Sequence, residues 1–144
     1  MSEFQLEDLV TRFVAGTLPR EEWTHAAHLA VGLWHVHHHG AEGGLERLRL
    51  GIRALNDRHG TPNTDTSGYH ETITAAYVRL LEQFLTEGAP GSSLASRLRD
   101  LLSGPLAERT FLDRFWSREL LMSPAARRSW VPPNLCPFGL SVAT

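Results

Sequence analysis

Residues 69–87 read Tyr69-His70-Glu71-Thr72-Ile73-Thr74-Ala75-Ala76-Tyr77-Val78-Arg79-Leu80-Leu81-Glu82-Gln83-Phe84-Leu85-Thr86-Glu87, with no glycine or proline among them. At about 100° per residue, His70, Ile73, Thr74, Tyr77, Leu81 and Phe84 share one side of a helix. Most of that side is large and mainly apolar, so the spacing predicts a long helix with this face buried. Such a helix needs partners to bury its stripe, and the flanking sequence supplies them.

Upstream, Leu45, Leu48, Ile52 and Leu55 form the stripe of a helix from about Glu42 to His59, with Gly60 as its stop. Before it, Thr17-Leu18-Pro19 starts a helix that runs to about His39 and ends at Gly40. Proline suits its first turn, and Glu21 and Glu22 suit the positive end of its dipole. The chain opens with a helix from Glu3 to the capping Gly16, carrying Phe4, Leu6, Leu9, Val10, Phe13 and Val14 at helical spacing. A polar loop from Thr61 to Gly68 precedes the Tyr69–Glu87 helix. After it, Gly88-Ala89-Pro90-Gly91 breaks the chain, Ser92 caps a short helix, and Gly104-Pro105 breaks it again. A helical stretch from about Leu106 to Met122 follows. Ser123-Pro124 then restarts a last short turn that Pro132-Pro133 ends. No strand-like alternation occurs. The expectation is an all-α, single-domain bundle of five or six helices over residues 1–144. In it, the helix carrying Gly32 crosses the Tyr69–Glu87 helix at that glycine.

Composition narrows the function classes. The chain has 144 residues, 42% hydrophobic and 21% charged, and a net charge of −2, which gives no electrostatic case for nucleic acid. No apolar run approaches the roughly 20 residues of a membrane span. The acidic start MSEFQLEDLV lacks the basic-then-apolar shape of a signal peptide, so a cytoplasmic location is expected. The single cysteine, Cys136, excludes an internal disulfide and a multi-cysteine zinc site. All fourteen basic residues are arginine, which removes lysine chemistry and fits a GC-rich bacterial genome. Whether the chain forms a homo-oligomer is left open by the sequence.

All eight histidines lie between His25 and His70. In Glu21-Glu22-Trp23-Thr24-His25-Ala26-Ala27-His28-Leu29, His25 and His28 are i and i+3, about 60° apart on a helix, with Glu21 beside them. His70 lies on the inward face of another helix, with Thr74 and Tyr77 available to bind or orient a ligand and Glu71 at the side. Three imidazoles bind zinc, iron, nickel or copper, and an open position then takes water or substrate. A nearby glutamate, Glu71 or Glu21, serves as base or fourth ligand. Zinc is the default because it needs no redox partner. His35 and the run His37-His38-His39 read as a core residue and a solvated helix end, and His59 as a neighbour of its Gly60 cap. Arg118, Arg127 and Arg128 read either as a clamp for an anionic substrate or as a helix-end cluster paired with Asp113 and Glu119. Cys136 reads as an incidental thiol.

Trp23-Thr24-His25-Ala26-Ala27-His28-Leu29, Gly68-Tyr69-His70-Glu71-Thr72-Ile73-Thr74 and Leu120-Leu121-Met122-Ser123-Pro124-Ala125-Ala126-Arg127 together resemble a family of small bacterial proteins, a likeness that brings no activity with it. More loosely, Trp23 followed by His28-Leu29 resembles the DinB/YfiT metal-binding helical bundles. There the corresponding histidine ligates a metal, which implies the same role for His28.

Two functions follow as expectations. One is a histidine-ligated metalloprotein, an enzyme acting on a small molecule by hydrolysis, elimination or transfer, with His25, His28 and His70 as ligands. The other is a metal-free helical module in which the histidines, Thr74, Tyr69 and Tyr77 line a polar pocket for an organic ligand or hold the core together.

Overall fold

A computed structural model of the chain describes residues 1–139. Six α-helices and three 3-10 turns make up its regular structure, with no strand among the described residues. The all-α expectation holds. Helix α1 (Glu3–Ala15) is framed at both ends by local chemistry. Ser2 and Gln5 form a reciprocal capping box, and Gly16 closes the helix in the left-handed region at φ 74°.

Helix α2 (His25–His59) is the organising element, and it is not one rod. A straight helix of 35 residues would be about 52 Å long and would hold His25 far from Ile52. Instead the backbone turns at Gly40 (φ 75°, ψ 178°), and the chain folds back as a helical hairpin with arms 25–39 and 41–59. Three observations show the return. Leu48 and Ile52 line the same cavity as His25 and Gly32. A Cβ on Gly44 would lie 3.2 Å from the His35 carbonyl oxygen. The ring of Phe13 packs on Trp23 and His35 in or just before the first arm and reaches Gly51 in the second. The expected stops at Gly40 and Gly60 are therefore both present.

Helix α3 (Glu71–Glu87) packs on this hairpin. Gly32 faces it so closely that a Cβ there would come within 2.9 Å of Leu81 Cδ1, which places Gly32 at the expected crossing. Helix α4 (Leu94–Leu102), capped by Ser93 rather than Ser92, covers the hairpin beside α1.

Two expected helices are corrected. Pro19 starts only a 3-10 turn, Arg20–Glu22, and α2 begins after Thr24, whose hydroxyl accepts the Ala27 N–H. The stretch 106–122 is not one helix either. It divides into 3-10 turns Pro105–Ala107 and Phe111–Arg114 and the short α5 (Arg118–Leu121). Ser117 restarts the chain as the cap of α5, so that Phe111, Phe115 and Trp116 can all be buried. The last helix is α6 (Pro124–Arg128), capped by Ser123. No helix among the described residues is long and apolar enough to cross a membrane.

Candidate functional site

A cavity of about 240 Å³ opens between the two arms of α2 and helix α3. Its floor is apolar: Leu29, Gly32, Leu48, Ile52, Ile73, Val78 and Leu81. Its polar side is built from Trp23, His25, His28, Thr74, Tyr77 and Arg109. Among the described residues no carboxylate lines it. The glycine at position 32 contributes by leaving the floor open, since any side chain there would meet Leu81.

The two histidines are oriented by backbone carbonyls. His25 Nε2–H donates to the Leu106 carbonyl at 3.1 Å, and its ring meets Tyr77 edge-on at 5.7 Å. His28 Nδ1–H donates back to the Thr24 carbonyl at 2.8 Å, and its ring stacks on Trp23 at 3.7 Å. Trp23 is held from its other side by Phe13. In the neutral ring, the nitrogen that donates to a carbonyl fixes the tautomer, which leaves the lone pair on Nδ1 of His25 and on Nε2 of His28. The His28 side chain is exposed on one side, yet its ring is crowded by protein atoms. That crowding pushes its pKa down to about 4, and the charges of His25 and Arg109 act in the same direction. His28 is thus neutral at physiological pH. Burial also pushes the Tyr77 phenol up to about 12, so it is a donor with its proton in place. Thr74 is partly committed, its hydroxyl donating to the His70 carbonyl at 2.9 Å.

His70 is elsewhere. It lies just outside α3 as its N-cap, with extended backbone (φ −131°), and its Nδ1 accepts the Ile73 N–H at 3.1 Å. Nε2–H donates to the Leu121 carbonyl at 2.6 Å. Both ring nitrogens are used, and the residue is only 7% exposed. The inward azimuth applies to Ile73, Thr74, Tyr77 and Leu81, which do line the cavity. It fails for His70 because a cap residue has left the helical screw. The three-histidine set is therefore not brought together, and no group of three His, Cys, Asp or Glu side chains able to hold a metal ion occurs among the described residues.

The two expected glutamates are also placed away from the cavity. Glu21 sits exposed in the Arg20–Glu22 turn, off the helix that would have aligned it with His25. Glu71 is clamped by Arg49 through two hydrogen bonds of 2.8 and 2.7 Å, and it accepts the Tyr69 hydroxyl at 2.7 Å. Burial alone would raise its carboxyl pKa, but these hydrogen bonds outweigh burial and hold it below the usual range. A carboxylate so stabilised is a poor base. This network fastens the start of α3 to the second arm of α2.

The remaining candidates resolve into structure. Arg118 pairs with Asp113 at 3.4 Å, Arg128 pairs with Asp65 at 2.8 Å, and Arg127 donates to the Gly68 carbonyl. The indole of Trp130 is covered by Arg79 instead. His35 is buried and donates to the Val31 carbonyl, while His37, His38 and His39 are exposed at the end of the first arm. His59 binds the Leu18 carbonyl at 2.7 Å. The Cys136 thiol donates to the Arg114 carbonyl.

Three site residues have no strong signal in the sequence. Arg109 stands in Ala107-Glu108-Arg109-Thr110, an unremarkable polar break, and Leu48 and Ile52 read only as a core stripe. Compared with protein families, curated proteins and solved structures, the chain matches none.

Proposed function

We propose that this protein binds a small organic molecule in the cavity between α2 and α3. The observation that carries the reading is the combination of a mainly apolar floor with a few oriented polar groups, which is how ligand sites are generally built. At about 240 Å³ the cavity lies below the roughly 300–1,000 Å³ of drug-sized sites, so its ligand is of small-metabolite size. His28, neutral and with a lone pair on Nε2, is suited to accept a hydrogen bond from the bound molecule rather than to act as a strong base.

The test is a fragment library followed by ligand-observed NMR on wild type and Ile52→Trp. Indole bulk at position 52 fills the cavity from the second arm, so hits on wild type are expected to vanish in the variant. An absence of hits, or hits retained in a folded Ile52→Trp, overturns the reading.

One observation favours a second reading. Carbonyl bonds that orient two imidazoles and leave a lone pair on each are also how metal-ligating histidines are held. In that reading His25 and His28 supply two ligands, zinc being the default, and the bound molecule completes the site. Stoichiometric uptake of zinc that is lost in both His25→Ala and His28→Ala supports it, and no uptake by wild type ends it.

A further inference from the structure

The charge balance around the cavity points to the class of molecule it takes. Arg109 is exposed at the mouth, and no carboxylate partner for it is found among the described residues. The acidic side chains close to it in sequence are engaged or turned elsewhere: Glu108 lies 3.6 Å from Arg114, and Asp113 pairs with Arg118. By contrast Arg12, Arg49 and Arg128 each hold a carboxylate. A guanidinium left without a counter-ion beside a low-dielectric wall attracts an anion, and its planar fork matches a carboxylate. Its charge is close enough to disfavour protonation of His28, and although Asp113 is near enough to act on Tyr77, no carboxylate stands among the described lining residues to pair with Arg109.

We propose, resting on the small-molecule reading above, that the ligand is a small organic monocarboxylate whose head pairs with Arg109 at the mouth and whose apolar body lies on Leu29, Leu48, Ile52 and Leu81. The Tyr77 hydroxyl makes no hydrogen bond to a described residue and is a second donor lining the same cavity. A phosphate fits less well, because a dianion with three acceptor oxygens needs a cluster of donors and Arg109 is the one cation among the described lining residues. A fully neutral apolar molecule would leave Arg109 with no role in recognition.

The experiment titrates hexanoate and phenylacetate, and separately hexanamide and phenylacetamide, into wild type and Arg109→Gln by calorimetry at pH 7.5. Arg109 is exposed and makes no ion pair with a described residue, so the variant is expected to fold, and its melting temperature checks that. Wild type is expected to bind the better-fitting acid about tenfold more tightly than its amide, the scale of one charge-assisted hydrogen bond at an open mouth. In Arg109→Gln that preference disappears, while Arg109→Lys restores part of it. Equal binding of acids and amides, or a preference that survives Arg109→Gln, overturns the carboxylate assignment and leaves the cavity reading standing. Failure of all four probes to bind wild type overturns the carboxylate assignment, while the cavity reading is judged separately by the fragment screen on Ile52→Trp.

Discussion

At the scale of single residues, histidine is used here in two distinct ways. His25 and His28 each spend one nitrogen on a backbone carbonyl and keep one for the cavity region. His70 spends both, one as the cap of α3 and one on the Leu121 carbonyl, and so ties α3 to α5. Replacing it with alanine removes a cap worth about 0.5–2 kcal/mol and a buried hydrogen bond worth about 1 kcal/mol. His70→Ala is therefore expected to destabilise the fold by about 1.5–3 kcal/mol in denaturant unfolding. His70→Asp, which keeps a capping oxygen, should recover part of that loss. Equal destabilisation by both variants would show that the cap contributes nothing. Neither variant is expected to change the acid-over-amide preference, since His70 lies outside the cavity.

At the scale of elements, the turn at Gly40 decides the architecture. Its φ of 75° with ψ near 180° belongs to a region that essentially only glycine adopts, and nothing lies within 4 Å of where a Cβ would stand. The cost of a side chain there is thus purely conformational. Gly40→Ala is expected to cost about 1–3 kcal/mol, read as a lower midpoint of urea unfolding with little change in helical circular dichroism. A stability unchanged within error would mean that the hairpin tolerates an ordinary turn at this point. Gly32 acts differently: its backbone is helical, and the space it leaves is what lets α3 approach and the cavity stay open.

At the scale of the whole molecule, acid should loosen the fold for an identifiable reason. Burial lowers the pKa of His28, His35 and His70 in the folded state, although carbonyl bonds partly oppose it. A histidine with a depressed folded pKa binds its proton more readily when unfolded. Stability is then full above the unfolded value of about 6.5 and falls as pH drops below it, for His28 down to about 4. Glu71 acts in the same sense at lower pH, because its carboxylate is stabilised in the fold and that contribution is lost as it protonates. The melting temperature is expected to decline steadily from pH 7 to pH 5, and His70→Asp should decline less. A flat profile over that interval would contradict the neutral, carbonyl-bound state of these rings.

The sequence alone determined what depends on near neighbours along the chain. The stripe from Ile73 to Leu81, the stops at Gly16, Gly40 and Gly60, and the absence of strand patterns all follow from local periodicity and backbone freedom, and they define the all-α bundle. His25 and His28 were also legible as a pair, because i and i+3 on one helix are neighbours whatever the rest of the chain does. The start of α2 was not, since Pro19 and Thr24 are both competent beginnings and only packing chooses between them. Tertiary structure alone decided which residues share the cavity. Folding at Gly40 carries Leu48 and Ile52 back to His28, and the turns after α4 deliver Arg109 to the mouth. It also turned His70 and Glu71 away, because a side chain at the edge of a helix is claimed by whichever partner packs against it: the Leu121 carbonyl for one, Arg49 for the other.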